Sequence, residues 1–341
     1  MKILGIESSC DETALALVED GRKVLSTNLT SQDVHTLYGG VIPEIAAREH
    51  LRMIHPLYKK TLADADMSPE DIDAIAVTQG PGLIGALLVG VSFAKGLATT
   101  LRKPLIPVNH VHAHVHGALL GIPENIRREE LFPSLALVVS GGHTHLYFMN
   151  TPMQFQLLAS SQDDACGECF DKVAKLLGLG YPGGAAIEAL AREGDETKVV
   201  MPKMMDEKEQ MAFSYSGLKT HVLYLIQKEQ LPIPSQRRKD ICAAFQKEAI
   251  GQIVRKLQTA HSLHPNVRSI IVSGGVAANH YFRQAVKEAC PIPSYFPDQK
   301  YCSDNAAMIA TYAWFRYRNS TSEQFHNLDW DAFAKYQHAA Q

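Results

Sequence analysis

The sequence is poor in cysteine and in net charge, and each scarcity excludes a class of protein. Six cysteines are scattered over 341 residues, which does not make a disulfide framework and predicts a reducing, cytoplasmic environment. The formal net charge of −3 is far from the basic balance of proteins that bind nucleic acid through their overall charge. The N-terminus, MKILGIESS, lacks the long apolar stretch and cleavage site of a secretory signal.

Long apolar runs are also scarce. The best candidate for a membrane span is GLIGALLVGVSFAKG, residues 82–96, which contains Lys95 and four glycines. We therefore expect no membrane span and interpret this stretch as a packed helix. Only one Cys-x-x-Cys pair stands out, Cys166 and Cys169, and a single pair is a weak indication of zinc or redox chemistry.

What the sequence does contain is a repeated plan. Residues 2–28 and 134–160 each hold an apolar run, a loop of small and polar residues, an alternating strand, a turn and a further strand, which predicts two β-hairpins. Residues 72–98 and 267–289 each hold a strand, a glycine-rich loop and a helix. Strands that alternate with helices predict α/β layers with a largely parallel component. For a chain of this length we expect two similar domains with a ligand in the cleft between them.

The two halves suggest domain boundaries. We expect a first domain at residues 1–108, completed by C-terminal helices at about 306–341, and a second at 109–305 with an inserted helical segment at about 161–265. A histidine-rich segment and the helix that begins near Asp304 occupy equivalent places in the two halves. If a pseudo-twofold axis relates the halves, one metal could draw ligands from both.

The stretch NHVHAHVHG holds four histidines at every second position. On a helix, His110 and His114 share one face, a spacing that suits two metal ligands, whereas His112 and His116 lie on another. On a strand all four would share one side, and the spacing alone leaves a metal site and a structural role open. A zinc peptidase of the H-E-x-x-H type needs glutamate after the first histidine, and Val111 stands there instead.

Three loops of small residues follow apolar strands, at residues 8–13, 140–144 and 273–279. Small residues let backbone N–H groups approach a phosphate closely, and the third loop also opens a helix, whose first amides favour anions. None of them fits the GxxxxGK[ST] or GxGxxG pattern. Their placement at corresponding strand ends favours nucleotide binding over simple turns.

A series of motifs, in order along the chain, resembles the family of tRNA threonylcarbamoyladenosine transferases, the TsaD family. The resemblance runs from about residue 2 to about residue 318, and the matching blocks are GIESSCDETALAL, YGGVIPEIAAREH, TQGPGLIGALLVG, NHVHAHVHG, VSGGHTHL, FDKVAKLLGLGYPGG, FSYSGLKT, SGGVAAN and YCSDNAAMIA. The resemblance implies an α/β fold of two ribonuclease-H-like domains around a central cleft, as in the actin, Hsp70 and sugar kinase superfamily. The CGEC block departs from the usual AGEA-like sequence, so we expect its two cysteines to be incidental.

The resemblance also implies an activity. The threonylcarbamoyl group of threonylcarbamoyl-AMP would be transferred to N6 of adenosine 37 in tRNAs that read ANN codons, and ATP, ADP or AMP could occupy the same site. The implied partners are tRNA, a TsaB-like paralogous subunit and a TsaE-like ATPase. The segments 43–58 and 83–101 are candidate partner surfaces, although a core role for the second fits its composition equally well.

In the family pattern, the metal ligands are His110, His114 and Asp304, with Fe²⁺ or Zn²⁺ as the ion; His112 and His116 are left out. Two nitrogens and one carboxylate oxygen suit either ion and leave positions open for substrate oxygens. Such a metal would act as a Lewis acid on a phosphate or carbamoyl oxygen. For Asp304, which precedes an alanine-rich run, the alternative is a helix N-cap.

The same pattern implies the nucleotide-binding residues. They are Val138, Val139, Ser140, Gly141, Gly142, Asp171, Gly184, Glu188 and Asn279. For Asp171 the alternative is a carboxylate on a helix surface, and for Asn279 it is a helix cap. Glu188 stands where many members of the family have aspartate, and its longer carboxylate could still accept from ribose hydroxyls.

Asp11 and Glu12 lie in the first phosphate-type loop, where carboxylates would repel a phosphate unless a cation intervenes or they handle protons. Glu12 is therefore a candidate general base for the N6 proton. Three basic clusters could contact tRNA phosphates, although such clusters are usually solvated surfaces. They are Arg237 to Lys239, Lys219 with His221, and Arg48 with Arg52.

Two other functions are compatible with parts of the sequence. One is a nucleotide-dependent binding module of the actin or Hsp70 type without transfer chemistry, and the other is a zinc metallopeptidase. A binding module does not need His110, His114 and Asp304 together, and the peptidase needs the glutamate that position 111 lacks.

Overall fold

The computed structural model describes residues 1–38, 40–207, 210–229 and 232–335. The chain divides into two compact units, Met1–Ile122 with Ser303–Gln341 (unit 1) and Pro123–Cys302 (unit 2). This division differs from the expected domains at residues 109–122 and 303–305, which belong to unit 1. The end of the expected C-terminal helical segment, residues 336–341, lies outside the described residues.

Strands and helices alternate along the chain as the sequence indicates. The strands are β1 Lys2–Glu7, β2 Glu12–Glu19, β3 Lys23–Ser31, β4 Ala74–Gly80, β5 Leu105–Asn109, β6 Ser134–Val139, β7 Thr144–Thr151, β8 Gln154–Ser160, β9 Ser269–Ser273 and β10 Ser294–Tyr295. The α-helices are α1 Pro43–Asp64, α2 Ile84–Leu101, α3 His110–Ala118, α4 Cys166–Leu176, α5 Gly183–Ala191, α6 Ser216–Lys228, α7 Ser235–Leu263, α8 His280–Ala289 and α9 Ala306–Arg318.

Within the described ranges, the two sheets repeat one topology. The sheet of unit 1 has the order β3-β2-β1-β4-β5 and that of unit 2 the order β8-β7-β6-β9-β10. In both orders, each of the first three strands is antiparallel to its neighbour. The fourth and fifth strands run parallel to the third. Both predicted hairpins and both strand-loop-helix segments are thereby confirmed, and the internal duplication is a property of the fold.

Unit 1 is layered on both faces of its sheet. Leu4 and Ile6 point into an apolar core with α1 and α2, whereas Gly5, between them, faces α9. Because the sheet is covered on both sides, the five residues at 14–18 in β2 are all fully buried, which suits their uninterrupted apolar sequence. Both α3 and α9 belong to this unit and pack against each other.

Unit 2 buries one side of its sheet under helices. Leu135, Leu137 and Val139 of β6 share a core with Phe245 of α7 and Phe282 of α8. The segment between β8 and β9 contains α4, α5, α6 and α7. The regular elements among its described residues are helices, as expected for the inserted segment at about 161–265.

Helix α2 tests the interpretation of the most apolar stretch of the sequence. Among the described residues it is the one helix long and apolar enough to cross a membrane, with a mean hydropathy of 1.6 over 18 residues. In the structure α2 packs against β4 and α1, with residues such as Leu87 and Val91 in the core. A core helix passes the same test of length and composition, and the packed position agrees with the interpretation made from Lys95 and the glycines.

The close approach of β6 and β9 gives a test of the fold of unit 2. Gly274 has φ +89, and a Cβ atom there would lie 2.4 Å from the carbonyl oxygen of Val139. We expect Gly274→Ala to lower the free energy of unfolding by about 3 kcal/mol or more, from backbone strain and steric clash together.

Gly275 is the matched control, because a Cβ atom there meets nothing within 4 Å. Gly275→Ala should change the free energy of unfolding by about 0.5 kcal/mol or less. Urea unfolding followed by circular dichroism measures both variants, and equal losses in the two would contradict the assigned backbone geometry.

Candidate metal and nucleotide sites

Helix α3 begins directly after the last strand of the unit 1 sheet. The side chain of Asn109 accepts a hydrogen bond from the backbone N–H of His112 and caps the helix. This start places His110 and His114 one turn apart with their ring centroids 4.7 Å from each other. The two residues are only 4% and 2% exposed, so any ion that they bind would be largely shielded from water.

Asp304 completes the cluster. Its Oδ1 lies 3.1 Å from Nε2 of His114 and 3.6 Å from Nε2 of His110. The N-cap of α9 is Asn305, whose side chain accepts from the backbone N–H of Met308. The N-cap alternative for Asp304 is therefore wrong, and its carboxylate faces the two histidines instead.

The three side chains fit a divalent metal. One ligand atom from each of His110, His114 and Asp304 lies within 4.8 Å of the others, and bonds of about 2.0–2.2 Å to a shared ion would need only a small contraction. All three residues belong to unit 1. The expectation that a metal would draw ligands from both halves is wrong in this respect, because α9 follows the unit 2 sheet in sequence but packs in unit 1.

The other two histidines of α3 take different positions. His116 is fully buried, with its ring 4.9 Å from that of Tyr312 and 5.1 Å from that of Phe315. Its Nδ1 lies 3.1 Å from the carbonyl oxygen of His112. This is the environment of a core histidine, and it agrees with leaving His116 out of the metal site.

Glu7, at the end of β1, is a member of the site that the sequence argument missed. Its carboxylate is fully buried, and Oε2 lies 3.0 Å from Nδ1 of His110. Burial acts to raise the pKa of Glu7, but the charge and hydrogen bond of His110 outweigh it and lower the pKa. Burial acts to lower the pKa of His110, but Glu7 and Asp304 raise it to about 9. A carboxylate as the last residue of an apolar strand is the signal that could have identified Glu7.

The turn with Asp11 and Glu12 is strongly acidic. Burial, followed by the charges of Asp304 and Asp11, raises the pKa of Glu12 to about 9 in the absence of a cation. His50 of α1 holds the turn from both ends, with Nδ1 2.7 Å from Oγ1 of Thr13 and Nε2 2.9 Å from a backbone carbonyl oxygen. Glu12 can act as a base at neutral pH only where positive charge offsets its neighbours.

The phosphate-type loop of unit 2 follows β6 directly, so Val138 and Val139 are its last strand residues. Ser140 closes the loop, with its N–H donating to the carbonyl oxygen of His143. A Cβ atom on Gly141 or Gly142 would meet nothing within 4 Å. Open space beside two glycine backbones is what a phosphate cradle requires.

The remaining predicted nucleotide residues each have a structural contact. Asp171 of α4 accepts from the N–H of Gly183 at the start of α5, next to Gly184. It is a partly buried helix-capping carboxylate rather than a plain surface one, and burial raises its pKa. Glu188 accepts from the N–H of His280.

Asn279 is a helix cap, as its alternative predicted. Its Oδ1 accepts from the N–H of Phe282 and its Nδ2 donates to Gln246. The residue is 7% exposed. Whether it also contacts a nucleotide stays a prediction.

Most of the basic side chains proposed for tRNA already face acids. Lys219 lies 2.6 Å from Asp164, and Arg237 donates to Glu229 at 2.8 Å. Arg52 likewise pairs with a glutamate, and His221 contacts a carbonyl oxygen. A contact with tRNA would have to compete with these ion pairs.

The Cys-x-x-Cys pair lies at the start of α4 with both residues fully buried. Burial raises the pKa of Cys166 to about 12 and raises that of Cys169 as well. A buried, protonated thiol is a poor nucleophile and a poor metal ligand, which supports the incidental role.

Comparison with solved structures supports the fold class. The chain is similar to full-length HypF in the phosphate- and nucleotide-bound form, with 14% identity, a TM-score of 0.58 and coverage of 94% of this chain and 47% of that one. It is also similar to component A of the (R)-2-hydroxyglutaryl-CoA dehydratase of Acidaminococcus fermentans. There the identity is 17%, the TM-score 0.54 and the coverage 93% and 98%.

Comparison with sequences is more specific. The model of the family described as TsaD, tRNA N6-adenosine threonylcarbamoyltransferase, matches residues 23–311. A tRNA N6-adenosine threonylcarbamoyltransferase of Chlamydia pneumoniae is 48% identical over 317 residues, covering 91% of this chain and 90% of the relative. One of the same description from Clostridium novyi is 46% identical and covers 93% of both.

The duplicated sheets define an α/β protein of two domains with the same ribonuclease-H-like topology, and the His-His-Asp cluster gives unit 1 a candidate metal site. Within that class, the chain belongs to the TsaD family of tRNA N6-adenosine threonylcarbamoyltransferases. Members of this family are described as transferases, which favours transferase activity over the binding module and the peptidase.

The raised pKa values of His110 and Glu12 predict how the metal-free protein responds to pH. In the unfolded state Glu12 loses its proton above pH 4.5 and His110 loses its proton above pH 6.5. In the folded state both groups keep the proton up to about pH 9. Their stabilising effect is therefore lost as the pH rises toward 9. Each such proton lowers the free energy of unfolding by at most about 1.4 kcal/mol per pH unit.

We expect Glu12→Gln to flatten this decline, because the amide does not titrate. Urea unfolding of chelator-treated protein between pH 6.5 and 9 gives the slopes. Glu44→Gln, an exposed glutamate at the start of α1, is the control and should keep the slope of the parent. An equally steep decline in Glu12→Gln and the parent would contradict the environment assigned to Glu12.

Proposed function

We propose that the protein transfers the threonylcarbamoyl group of threonylcarbamoyl-AMP to N6 of adenosine 37 in tRNAs that read ANN codons. The observation that carries the proposal is the family match over most of the chain together with the compact His-His-Asp cluster. Each relative compared above is described as a tRNA N6-adenosine threonylcarbamoyltransferase. The donor and the codon class are the parts of the proposal that go beyond that description.

The chemistry sets three requirements. The N6 amine is a weak nucleophile because its lone pair is delocalised into the adenine ring, so the acyl donor must be strongly activated. Attack on the carbamoyl carbon forms the new C–N bond, the bond to the AMP phosphate oxygen breaks, and the amine loses a proton. The protein must therefore hold the phosphate, stabilise negative charge on oxygen and accept that proton.

The metal of the family is assigned to His110, His114 and Asp304. When bound, Fe²⁺ or Zn²⁺ supplies a Lewis acid for a phosphate or carbamoyl oxygen. Two imidazole nitrogens and one carboxylate oxygen leave open positions for such oxygens. Only Asp304 is partly exposed, with 21% of its side chain accessible, so substrate would approach from the side of the carboxylate.

The AMP part of the donor is assigned to unit 2. The loop that contains Ser140, Gly141 and Gly142 offers backbone N–H groups beside open space, which suits a phosphate. Asp171 and Glu188 would accept from ribose hydroxyls beside Gly184, in addition to the backbone contacts that they already make. ATP, ADP or AMP would bind through the same groups.

The acceptance of the N6 proton is assigned to the acidic turn that contains Asp11 and Glu12. Glu12 and Asp11 lie in unit 1 with Asp304. The positive charge of a metal ion bound in that unit would favour the ionised form of Glu12. His50 keeps the turn in place through Thr13. Glu12 is the proposed general base, and Asp11 shares its proton through a hydrogen bond.

The proposed partners are tRNA, a TsaB-like paralogous subunit and a TsaE-like ATPase, in the cytoplasm. Leu51 of α1 and Ile84 and Leu88 of α2 are 69%, 47% and 45% exposed. Leucine and isoleucine side chains on the solvent side of two neighbouring helices suit a paralogous subunit, and they match the candidate partner segments 43–58 and 83–101.

Metal loss should abolish transfer. We expect His114→Ala to lose bound iron or zinc and to lower the rate of threonylcarbamoyl transfer at least 100-fold, because one of three ligands is removed. The assay uses preformed threonylcarbamoyl-AMP, an ANN-decoding tRNA and the partner proteins, with nucleoside analysis of the product.

The matched control is His112→Ala, on the same helix but outside the cluster. It should keep the metal and most of the activity. Absence of product from the metal-loaded parent protein with its partners would disprove the proposed function, and full metal content in His114→Ala would disprove the assigned site.

The phosphate cradle gives an independent prediction. Gly142→Val puts two methyl groups into space that is open in the protein, so the fold should tolerate it while a phosphate is displaced. We expect the affinity for AMP to fall at least tenfold with little change in melting temperature.

Equilibrium dialysis with labelled AMP measures this binding. Gly96→Val, also at a glycine with open space but on the exposed surface of α2, should bind AMP as the parent does. Unchanged AMP binding in Gly142→Val would remove this loop from the nucleotide site.

A further inference from the structure

Three hydrogen-bond donors converge on the buried carboxylate of Glu7. The backbone N–H of Ser9 donates to Oε1 at 2.6 Å, and the hydroxyl of Thr78 donates to Oε2 at 2.6 Å. Nδ1 of His110 lies 3.0 Å from the same Oε2. Glu7 and Thr78 are fully buried, so water does not compete for these bonds.

A carboxylate is the side chain that can serve all three donors at once. It has two oxygens and, when ionised, accepts only. The backbone N–H of Ser9 can only donate, so the atom at the position of Oε1 must be a hydrogen-bond acceptor. At Oε2 the Thr78 hydroxyl donates at 2.6 Å and Nδ1 of His110 lies 3.0 Å away, so an ionised carboxylate there requires the hydrogen of the ring to be on Nδ1.

We propose that Glu7 is the positioning residue of the metal site: it holds the imidazole of His110 with its hydrogen on Nδ1, so that Nε2 is the ligating nitrogen that faces Asp304. The inference rests on the metal role assigned to His110 under the proposed function. Metal-bound histidines commonly donate their second ring N–H to a carboxylate, which fixes the ring and increases its basicity. Here the opposite nitrogen, Nε2, lies 3.6 Å from Oδ1 of Asp304.

The hydroxyl of Ser9 is the competing acceptor for the same hydrogen. Its oxygen lies 3.2 Å from Nδ1 of His110, compared with 3.0 Å for the carboxylate oxygen of Glu7. A charged acceptor makes the stronger hydrogen bond. The Ser9 hydroxyl can rotate and is therefore a secondary contact that does not determine the position of the ring.

The substitution Glu7→Gln keeps the size of the side chain but replaces one of its two acceptor oxygens with a donor NH₂ group. A glutamine must direct its one oxygen toward the Ser9 N–H, since that donor cannot change, and this turns its NH₂ group toward His110. The NH₂ group can only donate, so the hydrogen of the His110 ring would move from Nδ1 to Nε2 and occupy the ligand position. The variant should therefore bind metal poorly even where its fold is unchanged.

Zinc affinity of metal-free protein, measured by competition with a chromophoric chelator, is the first readout. We expect Glu7→Gln to weaken zinc binding about 10- to 100-fold. Ser9→Ala, which removes the competing contact to the same nitrogen, should bind zinc within twofold of the parent. Equal affinity of Glu7→Gln and the parent would overturn the inference, and so would a loss in Ser9→Ala as large as that in Glu7→Gln.

The second readout is the nitrogen-15 spectrum of the His110 ring in metal-free protein at a pH where the ring is neutral, assigned by its absence in His110→Gln. The parent should carry the ring hydrogen on Nδ1, whereas in Glu7→Gln we expect Nε2 to carry it. A ring hydrogen on Nδ1 in the variant would contradict the positioning role, and a purely structural role would not move these signals.

Thr78→Val decides the matter if Glu7→Gln fails to fold, because valine keeps the volume and removes only the hydroxyl that orients Oε2. We expect it to weaken zinc binding at least threefold, and unchanged binding would overturn the inference. The proposed function fails separately: His110→Ala that binds zinc as tightly as the parent would disprove the metal site itself. A parent with a working site and an unaffected Glu7→Gln would disprove only the role of Glu7.

Discussion

The His-His-Asp cluster depends on one close contact in unit 1, the approach of α9 to β1. A Cβ atom on Gly5 would lie 2.2 Å from the carbonyl oxygen of Ala306 and 3.1 Å from Cβ of Ala310. A glycine in the middle of the strand therefore lets the first turn of α9 rest on the backbone of the sheet. Asp304 lies two residues before that turn, and this contact brings its carboxylate to the two histidines.

Much of the architecture could be predicted from the sequence because it depends on short-range patterns. Alternating and continuous apolar runs identify strands, and glycine-rich loops mark where they end, so both hairpins and their repetition are correct. The pair His110 and His114 follows from a spacing of four on a helix. Each of these features is fixed by residues close together in the chain.

The rest depends on contacts between distant residues, which leave no local pattern. Asp304 and Asn305 are both good N-cap residues, and only the packing of α9 shows that Asn305 caps and Asp304 faces α3. Glu7 is separated from His110 by 103 residues, and nothing near it in sequence indicates its partner. In unit 2, Asp171 and Asn279 support helix ends, so a residue type that suits a nucleotide also suits a cap.

The assignment of α9 to unit 1 has a consequence for biosynthesis. The chain must be made as far as Asp304 before the third ligand exists, and the whole of Pro123–Cys302 is translated between the histidines and that aspartate. At 5–20 residues per second, this interval lasts roughly 10 to 40 seconds. During it the ribosome-bound chain offers only a two-histidine site, which holds metal less tightly. The complete set of three ligands can therefore form only after Asp304 has been translated.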